Sequence, residues 1–74
     1  MALFGGKSMT QKVTEVVGVS KESFAKAAEG AVEDAARTVR GIKWARVQEL
    51  EMELDGKKIR SYRATLRIYF DVER

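Results

Sequence analysis

Residues 42–72 read IKWARVQELEMELDGKKIRSYRATLRIYFDV, and this stretch decides the fold. In its second half Tyr62, Ala64, Leu66, Ile68, Phe70 and Val72 alternate with Ser61, Arg63, Thr65, Arg67, Tyr69 and Asp71. Successive side chains of a strand point to opposite faces, so residues 57–72 form a strand with one apolar and one polar face. Residues 42–54 make another strand, in which the alternation slips. Ala45 and Val47 are apolar at odd positions, Leu50, Met52 and Leu54 at even ones. A bulge or a sharp twist near Gln48-Glu49 restores the register. Asp55-Gly56, between the two runs, marks a tight hairpin.

Upstream, residues 12–19 (KVTEVVGV) are rich in β-branched side chains and form a first strand, with Val13, Val17 and Val19 on one side. Ser20 is placed to cap a helix, its hydroxyl accepting a free backbone N–H of the first turn. Glu22 suits the positive end of the helix dipole. The helix is predicted over 21–39, where Phe24, Ala28, Ala31, Ala35 and Val39 recur at spacings of three and four. Gly30, inside it, costs up to about 1 kcal/mol relative to alanine and implies a packing reason. Arg37 and Arg40 fit its C-terminal end, and Gly41 fits the position just past it. The element order is β-α-β-β, an α+β protomer.

Residues 1–11 lack periodicity and contain Gly5-Gly6, so they are expected to be a flexible leader before a single domain over 12–74. Gly6-Lys7-Ser8 resembles the end of a phosphate-binding loop, but the glycine five positions earlier and the preceding strand are both missing. Neither a signal peptide nor a membrane span is recognisable, which makes a cytoplasmic location the default.

Composition narrows the function. The chain has no cysteine and no histidine, which removes disulfides, thiol chemistry and the usual zinc sites. Ser20 has no base to activate it, so no catalytic residue is assigned and an enzyme is not expected. Fourteen Lys and Arg are interspersed with eleven Asp and Glu. A nucleic-acid binder gathers its positive charge into a patch or stripe, so nucleic acid is not expected as a partner.

The proportions argue for self-association. The predicted helix is about 28 Å long, whereas the last strand reaches about 50 Å if straight. One helix does not cover that much sheet, and a three-stranded sheet leaves open edges. By alternation Trp44 shares a face with Arg46 and Gln48. A large aromatic on that polar face is a binding platform or a subunit contact.

The segments KVTEVVGVSKESFAKAAEGAVEDAARTVRGIKWARV and SYRATLRIYFDVE, with the Asp-Gly hairpin between them, resemble the dodecins over residues 12–73. The resemblance implies a three-stranded antiparallel sheet wrapped around one helix. It also implies a hollow homododecamer built from trimers, with paired flavin rings stacked between tryptophans at a two-fold interface. The role implied is non-catalytic storage or buffering of riboflavin or FMN. The alternative is a dodecin-like shell without flavin that holds ions or another small ligand, or serves as a scaffold.

Carried onto this chain, Trp44 takes the stacking position, with Arg46, Gln48 and Arg63 as further candidate cofactor-binding residues. Arg63 stands where flavin-binding members have glutamine. Glutamine offers the ring edge both a donor and an acceptor, whereas arginine offers donors only. Asp71 stands where many bacterial members have arginine, and Arg46 replaces a common glutamate. Arg46 and Arg63 together would favour an anionic flavin such as FMN. Glu49, Glu51 and Glu53 alternate along the second strand, and Glu49 and Glu53 are weak candidates for a hard cation.

Overall fold

The computed structural model describes residues 8–72. It contains β1 (Gln11–Ser20), α1 (Phe24–Ala36), β2 (Ile42–Asp55) and β3 (Lys58–Asp71). The strands form one sheet in the order β1-β3-β2, and both pairs are antiparallel. The most apolar strand is thus central. Most of the expected leader, residues 1–7, lies outside the described residues. Its last residue, Gln11, belongs to β1 and donates from Nε2 to Asp71 Oδ1 at 2.9 Å.

The helix is shorter than the periodicity predicts, at 13 residues, or about 20 Å. Ser20 is not its cap. That residue still pairs with Tyr62 in the β1–β3 ladder, so its backbone is extended. Its Oγ accepts from the backbone N–H of Glu22 at 2.9 Å and rounds the corner. Ser23 is the N-cap, with φ −168° and ψ 164°, and its Oγ accepts from Lys26 N at 3.0 Å. At the other end the helix stops at Ala36, before the β-branched Thr38 and Val39, with Arg37 as C-cap. Gly41 therefore lies beyond the helix end. At φ 75° it turns the chain into β2, and its carbonyl accepts from Asp71 N at 3.2 Å.

Ala27, Ala31 and Ala35 are buried against Ala64, Leu66 and Ile68 of β3. Small side chains at i, i+4 and i+8 bring the helix axis close to the sheet. Gly18 of β1 marks the tightest approach. A Cβ there would lie 1.9 Å from the carbonyl oxygen of Ala27 and 3.0 Å from Ala31 Cβ.

Gly30 has no such role, since a Cβ added to it meets nothing within 4 Å. The expected packing reason is absent within the protomer. Gly30→Ala should therefore raise stability by up to about 1 kcal/mol, through a smaller loss of backbone entropy. A thermal melt that moved downward would overturn this.

The faces of β1 divide cleanly. Thr14, Val16, Gly18 and Ser20 turn toward the helix, while Val13, Val17 and Val19 sit exposed on the other side. The helix rests on β1 and β3 and scarcely touches β2. An open groove of about 420 Å³ runs between α1 and β2, lined by Ala28, Val32, Ala45, Val47 and Leu66 and rimmed by Glu29 and Glu33. Beyond the Ser20–Tyr62 pair, β2 and β3 continue as a two-stranded ribbon in a molecule 55 Å long. Met52, Leu54 and Ile59 of this ribbon are exposed.

The register of β2 slips between Val47 and Glu49, so Gln48 is the extra residue of a bulge, as the alternation predicts. The hairpin loop is displaced by one residue from the expected Asp55-Gly56. Asp55 pairs with Lys58, and Gly56-Lys57 form the loop. Positive φ occurs at Gly56 (62°) and not at Lys57. That is the pattern of a II′ turn with glycine first, rather than a I′ turn centred on Asp-Gly.

Candidate functional site

Strand register builds the face opposite the helix row by row. Val13, Tyr69 and Trp44 align across the three strands, followed by Glu15, Arg67 and Arg46. The next rows are Val17, Thr65 and Glu49, then Val19, Arg63 and Glu51. Trp44 is 66% exposed. Its position depends on an irregularity at Lys43, where the register shifts between Ile42 and Trp44. Simple alternation would put Ile42 and Trp44 on one face. The extra residue lets Ile42 turn inward onto the alanine-rich core while Trp44 turns outward. Among the described residues the aromatic pair in contact is Phe24–Tyr62 on the helix side, at 5.0 Å and 76°. The indole of Trp44 is not part of it.

Arg46 and Arg67 lie directly opposite each other. Like charges in that relation destabilise a sheet unless one is engaged elsewhere. Arg67 is engaged. Its Nε donates to Gln48 Oε1 at 2.8 Å and stands 3.9 Å from Glu15 Oε2. Arg46 has no ion-pair partner among the described residues.

Three of the four sequence-derived candidates, Trp44, Arg46 and Gln48, therefore gather at one end of this face. Arg63 does not join them within the protomer. It pairs with Glu51 and lies six residues along β3 from Tyr69, about 20 Å at strand rise. Counting back from the hairpin would have exposed this separation. Sequence reading also left Tyr69 and Arg67 out of the site, although both sit on the polar face of the last strand.

The acidic candidates are spread along the edge strand. Glu49 and Glu53 are four strand residues apart, about 13 Å, and Glu53 Oε1 accepts from Ser61 Oγ at 3.1 Å. Among the described residues no three acidic, histidine or cysteine side chains converge to hold a metal ion. No described helix is long and apolar enough to cross a membrane. A second open hollow, of about 450 Å³, lies at the same end of the sheet as Trp44, between Lys12, Arg40, Phe70 and Asp71.

The arrangement around Trp44 suits one kind of ligand. A flat exposed indole gives a face for stacking, with Tyr69 beside it and two guanidiniums and an amide further along. Such a surface favours a planar heteroaromatic ring with a polar edge or an anionic substituent.

The Dodecin family model matches residues 10–73. A dodecin from Streptomyces davaonensis is 25% identical, with a TM-score of 0.85 over 92% of this chain and 100% of that one. The dodecin of Streptomyces coelicolor is 29% identical, with a TM-score of 0.84 over 89% and 94%. A calcium-chelating antigen of Mycobacterium tuberculosis, described as calcium dodecin with a novel calcium-binding site, is 37% identical. It superposes with a TM-score of 0.75 over 86% of this chain and 91% of that one. No curated protein matches the chain by sequence.

Proposed function

This chain belongs to the dodecin family, and from that premise we propose that it is a non-catalytic flavin-binding protein of the cytoplasm, storing or buffering riboflavin or FMN in a hollow homododecamer built from trimers. The observation that carries the reading is Trp44, a large aromatic held on the outer face and two-thirds exposed. An indole in that position stacks on a flat electron-poor ring, which adds about 0.5–1.5 kcal/mol beyond the area it buries.

Assembly has its own support. Val13, Val17 and Val19 on one face and Leu50, Met52, Leu54 and Ile59 toward the ribbon are all exposed. A two-stranded ribbon is marginal alone, and exposed apolar side chains in these numbers, on both faces of the sheet, favour burial against other copies. Arg46 supplies a free guanidinium beside the ring site, and Arg63 reaches the same ring from a second copy. Both favour the phosphate of FMN.

Light scattering combined with flavin titration tests the reading. The expected result is a twelve-subunit particle that strongly quenches flavin fluorescence, binding FMN more tightly than riboflavin at low salt. Equal, salt-independent affinities would remove the role of the arginines, and a monomer or dimer would sink the shell. The 37% identity to a calcium dodecin favours a second reading, a shell that holds ions without flavin. Carboxylates such as Glu49 and Glu53 would then be combined from several copies. A colourless twelve-subunit particle that ignores flavin and melts higher with calcium would establish it.

A further inference from the structure

We infer that Gln48, held by Arg67, reads the imide edge of the flavin in this chain and that Arg67 is its positioning residue. The inference rests on the flavin reading above. It starts from the bulge. As the extra residue of β2, Gln48 leaves the regular ladder, and its side chain is carried to the outer face, where it meets Arg67. It lies four residues beyond Trp44, about 13 Å along the strand. A tricyclic ring lying on the indole and running along β2 brings its polar end to that position.

The chemistry of the amide fits this edge. The imide of a flavin presents a carbonyl, an N–H and a second carbonyl in a row. Matching it requires an acceptor beside a donor, which a carboxamide supplies and a guanidinium does not. Free carboxamides rotate and present either end. Here Arg67 Nε donates to Oε1 at 2.8 Å, which fixes the orientation of the group. Oε1 keeps a second lone pair for the ring N–H, and Nε2 keeps two hydrogens for a ring carbonyl. Glu15 Oε2, 3.9 Å from the same Nε, holds the guanidinium from the other side. The acceptor-and-donor pair that Arg63 does not offer is thereby supplied from the bulge.

The test compares lumiflavin with 3-methyllumiflavin, in which the ring N–H is replaced by a methyl group. Binding is followed by quenching of ring fluorescence on the assembled protein. Wild type should prefer lumiflavin by about tenfold, the range of one net hydrogen bond. Gln48→Met should bring the ratio close to one while stacking and particle mass persist. Arg67→Met should lower the ratio with Gln48 intact, and Arg67→Lys should restore part of it.

A wild type that binds both flavins equally overturns the assignment alone. The assignment fails too if Gln48→Met keeps the preference, or if Arg63→Met abolishes it. A wild type that quenches neither flavin overturns the flavin reading, and this inference with it.

Discussion

Gly18→Ala is expected to leave the protein largely unfolded, with no cooperative melt and little soluble assembly. Gly18 sits in β1 opposite Ala64, under the first turns of α1. The new methyl group would stand 1.9 Å from Ala27 O, an atom of the helix backbone, and 3.0 Å from Ala31 Cβ. No rotamer change relieves a clash with main chain, so the whole helix must lift away from the sheet. Lifting it opens the contact of Ala27, Ala31 and Ala35 with Ala64, Leu66 and Ile68, which is the buried core. Overpacking typically costs 1–3 kcal/mol, and here about 3 kcal/mol or more is expected because backbone must move. A chain this small has little stability to spare. Circular dichroism decides the matter: a variant melting within a few degrees of the wild type would show that the helix tolerates the shift.

Trp44→Ala has the opposite character, since it should spare the fold and remove the ligand. The indole is two-thirds exposed and lies outside the core cluster. Truncation thus leaves no cavity in the protomer. Losing one stacked aromatic surface forfeits both its buried area and its stacking geometry, so flavin affinity should fall about a hundredfold or more. Light scattering on the same sample should return an unchanged mass. A variant that falls apart into smaller species would make the indole a subunit contact, and one that still quenches flavin would remove it from the site. Trp44→Phe should lie between the two.

Much of this was legible in the residues. Tyr62 to Phe70 alternate without a fault, and the slip between Val47 and Leu50 located the Gln48 bulge because period-two patterning breaks only where a residue is added. The helix start was harder. Ser20 and Ser23 both bond forward to backbone N–H groups, and only the ladder partner of Ser20 shows that it is still strand.

Faces were ambiguous for a different reason. Three valines at 13, 17 and 19 look like a core stripe, yet Gly18 faces the helix, because close approach needs a missing side chain rather than a large one. Gly30 looked equally purposeful and is not, since local sequence does not record what stands opposite. Trp44 was found by type, while the distance to Arg63 required register. Extra residues at Gln48 of β2 and Arg60 of β3 decide that register, and the first interrupts a visible pattern.

The hairpin also imposes an order on folding. β2 and β3 are joined by two residues, so their pairing closes a short loop and forms on the microsecond scale. The β1 ladder is far more distant in sequence, with the Gln11–Asp71 hydrogen bond spanning 60 positions. Such long closures come late because their entropy is lost before their contacts form. In that interval β3, destined for the centre of the sheet, is an edge strand with a free row of backbone donors and acceptors. The strand that reaches it first can belong to another molecule, which places exchange of β1 between chains on the same landscape as folding itself.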